Sequence, residues 1–211
     1  MSDQPTRGER EQRVDELRRR LGDEHHETLA AMLELAEMLW SEGRLAAGRA
    51  LEEHVVAVRR QVLGEGHGDT LKALGKLATT IGMQGDLDEA RRLQERIVTL
   101  APEAWGETGR DTLRALNNLA GTVAAQGDVA GARALLDMAI ETMQRVLGAD
   151  DGDTLAAMGN LAAVLWNDGE RGEAYWLQHD IVETQRRVRG ADDPATRAAV
   201  AVLGAMQGGA L

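Results

Sequence analysis

A period of 42 residues constrains the fold of this chain more than any other feature of its sequence. A threonine recurs at this interval with no insertion or deletion, at Thr28, Thr70, Thr112, Thr154 and Thr196. Two glycine series, one leucine series and one alanine series keep the same interval in the same register. This regularity indicates a repeat protein, in which each unit packs mainly against its neighbours.

Inside each unit the apolar residues are spaced as on the buried face of an amphipathic helix. In the third unit they are Leu113, Leu116, Leu119, Ala120 and Val123. A glycine fifteen residues after the threonine is expected to end this first helix, and a second apolar stripe then leads to a closing Leu-Gly pair. The predicted fold is therefore all-α, a right-handed α-α superhelix of antiparallel helix pairs.

Small side chains recur at one point in each helix of a unit. Eight residues after the threonine the four full units have only alanine, at Ala36, Ala78, Ala120 and Ala162. Twenty residues after the threonine they have only Ala or Gly. We therefore expect the two helices of a unit to approach closely at these positions.

The repeat register also predicts the domain organisation, a single array over residues 9–207. The array divides into a half unit 9–22, full units 23–64, 65–106, 107–148 and 149–190, and a half unit 191–207. Residues 1–8 and 208–211 are predicted to be disordered or frayed. Because proline lacks an amide hydrogen, Pro102 is expected to end its helix near Ala101 and to leave an irregular connector over 103–110.

Composition excludes several classes of function. The formal net charge is −11, which disfavours nucleic acid or an anionic membrane as the partner. The chain has no cysteine, so thiol chemistry and disulfides are excluded. No segment is long and apolar enough to span a membrane, and the first twenty residues are too charged for a signal peptide, so we expect a cytoplasmic location.

The period, the glycine between paired helices and the small helix-contact residues resemble tetratricopeptide (TPR) repeats of the kinesin-light-chain type. The motif of that subfamily is matched at Leu63-Gly64, His67, Asp69-Thr70-Leu71, Asn117-Asn118-Leu119-Ala120, Gly127-Asp128 and Ala132. The asparagine pair is complete only in the third unit, and no P-loop pattern occurs. The resemblance implies a TPR solenoid that acts as a non-catalytic scaffold and holds an extended peptide in a concave groove.

The exposed face of the first helices carries the candidate peptide-binding residues. The chain has two lysines and 22 arginines, and Lys72 and Lys76 lie one turn apart on one predicted helix. With Arg114 they predict a cationic strip that selects acidic ligands over basic ones. Amides that can pair with a peptide backbone and bulky residues that can bound its ends complete the predicted site: Asn117, Asn118, Asn160, Trp40 and Trp166.

No catalytic or metal-binding pattern emerges from the polar residues. His25 and His67 occupy equivalent turns between units, which favours a capping role, and the adjacent rings of His25 and His26 are expected to point apart. Asp150 to Asp153 fill another such turn and lack the spacing of a calcium loop. Five equivalent threonines indicate a structural role. We therefore predict no catalytic residue, no metal and no cofactor, and a protein or peptide partner.

Alternative interpretations remain open at the level of sequence. The cations could form a solvated, ion-paired helix face, and the tryptophans could pack between helices. The C-terminal helix carries Val200, Val202, Leu203 and Met206, which predict an apolar end, a weak homodimer and a self-assembling structural module. A third alternative is a small enzyme or carrier that holds a ligand between Trp40 and Trp166.

Overall fold

The computed structural model describes residues 5–208 and contains, within that range, ten α-helices and no strand. In chain order they are α1 (Arg7–Leu21), α2 (His26–Ser41), α3 (Leu45–Leu63), α4 (Gly68–Met83), α5 (Leu87–Trp105), α6 (Arg110–Ala125), α7 (Val129–Val146), α8 (Gly152–Asp168), α9 (Arg171–Arg189) and α10 (Pro194–Gly208). The even-numbered helices are the first helices of the repeats and the odd-numbered ones are the second helices. The predicted all-α fold is confirmed.

The helices form two compact structural units, and each of them contains more than one repeat. The first unit ends at Ala104 and the second unit begins at Trp105. In the first unit α1 packs on α2, α2 on α3 and α3 on α4. In the second unit α6 packs on α7, α7 on α8, α8 on α9 and α9 on α10, and the first helices α6 and α8 also touch. Each helix thus buries its apolar stripe against helices that are close in sequence.

One hydrogen bond recurs where a second helix gives way to the next first helix. The hydroxyl of the repeat threonine donates to the carbonyl oxygen of the glycine six residues earlier, over 2.7 to 2.9 Å. The four pairs are Thr28–Gly22, Thr70–Gly64, Thr112–Gly106 and Thr154–Gly148. These glycines have φ between 83° and 100°, a region that other residues disfavour. The structural role predicted for the threonines is confirmed in these four turns.

The fifth turn is built differently. The Thr196 hydroxyl is buried and makes no hydrogen bond. The Asp193 carboxylate accepts the Ala195 amide hydrogen at 2.9 Å. Pro194 occupies the first helical position, where a missing amide hydrogen costs nothing. Asp193 thus caps α10 as the equivalent Asp151 caps α8, and α10 begins without the threonine bond of the other turns.

Side chains in the inter-unit turns cap the first helices, as predicted. His25 Nδ1 accepts the Glu27 amide hydrogen at 3.3 Å, and His67 Nδ1 accepts that of Asp69 at 3.1 Å. Asp151 plays the same part for α8 by accepting the Asp153 amide hydrogen at 2.9 Å. Each cap satisfies a donor that the helix itself leaves without a partner.

The small residues of paired helices meet as predicted. Ala36, Ala78, Ala120 and Ala162 have no exposed surface. A Cβ atom on Gly48 would lie 3.1 Å from the Ala36 carbonyl oxygen and 3.3 Å from a ring carbon of Trp40. Both distances are tighter than ordinary van der Waals contact, so the helices approach to the limit that their side chains allow.

The predicted early end of α5 is wrong. The helix continues through Pro102 to Trp105, and the connector to α6 is only Gly106 to Gly109 rather than 103–110. Pro102 is exposed, and its ring removes one amide donor near the end of the helix, while Ala101 beside it is completely buried. Packing of this last turn outweighs the local preference of the proline.

The two ends of the described chain also correct the prediction. α1 begins at Arg7, inside the segment 1–8 that was expected to be disordered, because Thr6 and Glu9 form a reciprocal capping box. Gly208 is the last residue of α10, although 208–211 was expected to fray. Residues 1–4 and 209–211 lie outside the described residues.

The apolar residues of α10 turn inward more than expected. Met206 is buried against Ala162, Leu165, Trp166 and Ala174, and Leu203 packs on the cluster around Leu155, Ile181, Val182 and Ala199. Only Val200 and Val202 remain exposed, at 36% and 40%. Half of the predicted apolar end therefore covers the preceding helix pair.

A buried polar position recurs in the second helices. It is occupied by Glu52, Gln94 and Gln178, and Gln178 Nε2 donates to the Ala199 carbonyl oxygen of the next first helix at 2.9 Å. Neither carboxylate oxygen of Glu52 makes a hydrogen bond. Burial raises the pKa of the Glu52 carboxyl, and the neighbouring Thr80 hydroxyl and Lys76 charge offset only part of that shift.

Overpacking the contact between paired helices tests the repeat architecture. Ala120→Leu adds three carbons where no space exists, so we expect it to lower the free energy of unfolding by about 1–3 kcal/mol. The matched control is Ala134→Leu on the exposed side of α7, which we expect to change stability by less than about 0.5 kcal/mol. Equal thermal melts for the two variants, followed by circular dichroism, would contradict the assigned helix contact.

Substituting the buried carboxyl tests its protonation. Because the pKa of Glu52 is raised on folding, the ionised form destabilises the folded state at neutral pH, and this penalty disappears in acid below about pH 4. Glu52→Gln should therefore raise the melting temperature at neutral pH, with the gain shrinking as the pH falls. The reciprocal variant Gln178→Glu should lower it at neutral pH. A gain that is independent of pH would refute this account.

Candidate functional site

In the first unit the candidate cations lie on the exposed face of α4. Lys72 is exposed, and Lys76 lies one turn further along the helix with about a third of its side chain in solvent. The Lys76 ammonium group forms an ion pair with the Glu37 carboxylate of α2, the preceding first helix. This face therefore presents a lysine that already has an acidic neighbour.

Trp40 joins the same two first helices. Its indole Nε1 donates a 2.6 Å hydrogen bond to the Thr80 hydroxyl of α4, and the ring is half-buried beside Gly48 of α3. The Thr80 hydroxyl in turn donates to the Lys76 carbonyl oxygen at 3.3 Å. Trp40 thus fixes the position of α4 against α2 while part of its ring stays accessible.

In the second unit the candidate arginine belongs to a network of five charges. Arg114 Nε lies 2.9 Å from an Asp153 carboxylate oxygen of α8, and Arg114 Nη1 lies 3.5 Å from an Asp111 carboxylate oxygen. Arg110 makes a bidentate contact with Asp151 at 2.9 Å and also bonds Asp153. The hydrogen bonds from Arg110 hold the pKa of the Asp151 carboxyl below its usual range, and the same bonds raise the pKa of Arg110.

The asparagines of α6 and α8 form a second contact between first helices. Asn160 Nδ2 donates to Asn117 Oδ1 at 2.9 Å, and Asn118 is exposed beside them. This bond uses the Asn160 amide nitrogen and the Asn117 amide oxygen, so the Asn117 nitrogen and the Asn160 oxygen can still bond other groups. The three predicted amides thus lie on neighbouring first helices of one unit.

Trp166 is a core residue. It is 92% buried among Ala162, Leu165, Ala174 and Met206, and the Arg171 guanidinium carbon lies 5.2 Å from the centre of its ring. The structure therefore places Trp166 inside the second unit, in contrast to Trp40 at the equivalent repeat position.

The sequence prediction missed the acids that accompany the cations. Glu37 precedes Lys76 by 39 residues, Asp153 follows Arg114 by 39, and Asp151 follows Arg110 by 41. An interval of 39 residues is about one helical turn shorter than the 42-residue period, and an interval of 41 is one residue shorter. Residues at such spacings lie side by side where neighbouring first helices meet. Opposite charges at such a spacing are the sequence signal from which these ion pairs could have been predicted.

The adjacent histidines lie closer together than expected. The ring centres of His25 and His26 are 4.5 Å apart, and candidate ligand atoms of both rings and Glu27 lie within 4.8 Å of one another. The extended conformation of the N-cap residue turns the His25 ring back over the helix. Its Nδ1 lone pair already accepts the Glu27 amide hydrogen, so the neutral ring carries its proton on Nε2. Binding a metal through either nitrogen would compete with this arrangement.

Among residues 5–208, none of the helices combines the length and the apolarity that crossing a membrane requires.

Comparison of the sequence with known families finds tetratricopeptide repeats over most of the chain. One tetratricopeptide repeat model matches residues 27–103 and 111–174, and a second matches residues 154–195. Together the matched segments cover most of α2 through α9 and most of each of the four full repeats read from the 42-residue period. No curated protein matches the chain in sequence.

Solved structures show the same fold. Two crystal structures of a protein assigned as a kinesin light chain of Podosopora anserina, with nearly identical TPR-like repeats, are 26% identical to this chain over 87% of its length. The alignments cover 86% and 87% of the two crystallised chains, with TM-scores of 0.71 and 0.69. The alignment with the crystal structure of BtubC (BKLC) from P. vanneervenii covers 97% of this chain and 82% of the BtubC chain, with 21% identity and a TM-score of 0.78.

Proposed function

Because this chain belongs to the tetratricopeptide repeat family, whose members generally act as protein-interaction modules, we propose that it is a non-catalytic adaptor. The proposed ligand is an extended acidic or polar segment of a partner protein. The residues proposed to contact it lie on the exposed faces of first helices: Lys72 and Lys76 in the first unit, and Arg114, Asn117, Asn118 and Asn160 in the second.

The repeat itself supports this choice of face. Two residues after the threonine the full units have Ala30, Lys72, Arg114 and Ala156, and all four are exposed. Six residues after the threonine they have Glu34, Lys76, Asn118 and Asn160, and none of these is buried. Packing does not restrict these positions, whereas the positions one and seven residues after the threonine are leucine in every full repeat. The identity of these side chains is thus free to serve recognition.

The existing ion pairs lower the affinity of these cations for a ligand carboxylate but do not prevent its binding. The contact of Lys76 with Glu37 and that of Arg114 with Asp153 are partly solvated, and such pairs contribute only about 0–1 kcal/mol each. A ligand carboxylate can therefore replace Glu37 or Asp153 at small cost. We expect micromolar affinity that weakens as salt is added.

The amides supply the second component of the proposed site. After Asn160 donates to Asn117, the Asn117 nitrogen and the Asn160 oxygen can still bond a peptide carbonyl and a peptide amide hydrogen. Asn118 is exposed on the same helix and can add a further bond. Trp40 contributes the accessible part of its ring in the first unit, and Trp166 is left out because it is buried.

A paired substitution tests the first-helix face. We expect Lys72→Glu with Arg114→Gln to weaken capture of the native partner from its own cytoplasm at least about tenfold, because attraction at one position becomes repulsion. Glutamine is used at 114 because Asp111 and Asp153 lie beside it. The melting temperature should change by only a few degrees.

The matched control makes the same charge changes on the second helices, Arg92→Glu with Arg145→Gln, where both arginines are exposed. It should retain the partner. If the first-helix variant still binds with the same affinity and the same salt dependence, the proposed face is wrong. If both variants lose the partner equally, net charge alone explains binding.

Self-association is a second candidate function. It is favoured by α10, which exposes Val200 and Val202 and contains no acidic residue in a chain of net charge −11. A copy of this helix can therefore approach another without carboxylate repulsion.

Light scattering at high micromolar concentration tests this second candidate. We expect a weak dimer that Val202→Glu abolishes, while Val62→Glu, at an exposed position of α3, leaves it unchanged. A monomer at all concentrations would rule it out.

A further inference from the structure

An aromatic cluster on the surface of α9 stands apart from the first-helix face. We define it as Tyr175, Trp176 and His179. The Trp176 ring lies edge-on to Tyr175 at 5.6 Å and to His179 at 5.5 Å, measured between ring centres. Trp176 is 63% exposed, more than any other large apolar residue of the described chain. Three of the few aromatic side chains of the protein thus meet at one surface of the second unit.

The other repeats show that the fold does not need aromatic residues here. At the positions of Tyr175 and His179 they carry an arginine and an acid one turn apart, which form ion pairs. The pairs are Arg49–Glu53 at 2.7 Å, Arg91–Glu95 at 2.8 Å and Arg133–Asp137 at 3.9 Å. The position of Trp176 is Ala50, Arg92 or Ala134, and each of these is exposed. Only the fourth repeat replaces this charged surface with rings.

Acidic residues surround the cluster. Glu173 lies one turn before Trp176 and Asp180 one turn after it, so both share its side of the helix. Both carboxylates are exposed. Glu173 lies 3.6 Å from Arg133 of α7, and Asp180 lies 3.6 Å from the His179 ring. An exposed indole between two carboxylates attracts a cation through the ring face and through charge together.

We propose that the aromatic cluster is a docking site for an arginine-bearing, basic segment of a partner protein. The planar guanidinium group stacks on the Trp176 ring, and its N–H groups donate to the carboxylates of Glu173 and Asp180. The same chemistry already occurs inside this unit, where the Arg171 guanidinium lies over the Trp166 ring. The net charge of −11 draws a basic segment toward the protein from a distance.

Arginine is favoured over lysine at this site for a geometric reason. A lysine ammonium group is a compact and strongly hydrated charge, whereas the flat guanidinium group can stack and donate in its own plane at the same time. Net charge alone does not distinguish the two residues. A preference for arginine that depends on Trp176 is therefore the signature of the proposed contact.

Binding of two labelled peptides to the whole chain tests the proposal. One probe contains several arginines separated by glycine and serine, and the other has lysine at the same positions. Fluorescence anisotropy should show tighter binding of the arginine probe. Trp176→Ala should weaken arginine binding by roughly five- to tenfold and lysine binding much less. Alanine is the residue at positions 50 and 134, so the variant keeps a side chain that the fold already accepts.

Two further variants separate the contributions. Met138→Ala removes another exposed apolar side chain from the same unit and should leave both affinities unchanged. Glu173→Gln with Asp180→Asn should weaken both probes, because it removes charge and not the ring. Circular dichroism of each variant verifies that the helices are intact.

Three outcomes would overturn the proposal. If Trp176→Ala binds the arginine probe as tightly as the wild type does, net charge alone accounts for binding. If Met138→Ala weakens the arginine probe as much as Trp176→Ala does, the contact is a general apolar one. If neither probe is preferred and light scattering shows a dimer that Trp176→Ala abolishes, a second copy occupies the cluster. The adaptor proposal for the first helices stands or falls separately, because none of these variants alters that face.

Discussion

The hydrogen bond from the repeat threonine to the glycine six residues earlier is the interaction on which the rest of the structure depends. It closes the turn between a second helix and the next first helix in four turns out of five, always over a glycine with positive φ. Because the turn is the same each time, a given position of the repeat has nearly the same surroundings in every repeat. The buried alanines and the capping side chains recur for that reason.

This regularity makes each repeat a reference for the others. A buried residue type that is the same in all full repeats is required by packing, as at Ala78 and Ala120. A residue type that changes from repeat to repeat at an exposed position is not fixed by the fold, as at Lys72 and Trp176. A change at a buried position has an energetic cost instead, and Glu52 is the example, because the equivalent Gln178 finds a carbonyl acceptor while the carboxylate of Glu52 finds no donor.

The alternation of first and second helices and the turns between them could be predicted, because the apolar period and the glycines are local signals. Pro102 was the exception, since burial of Ala101 held a turn that local preference opposed. The candidate site was harder. The positions of Lys76 and Arg114 on exposed helix faces were predictable, but their acidic partners lie 39 residues away in sequence and depend on which helices are neighbours. The single-array organisation over residues 9–207 stays a prediction.

The sequence by itself determined the period, the helix pairs, the turns and the small residues at the helix contacts, because each of these follows from spacing along one segment of chain. Only the tertiary structure decided which side chains are accessible. Trp166 and Trp176 stand ten residues apart, yet one is enclosed by Ala174 and Met206 and the other is exposed beside Tyr175 and His179. Burial is set by what converges on a side chain from other helices, and no local pattern contains that information.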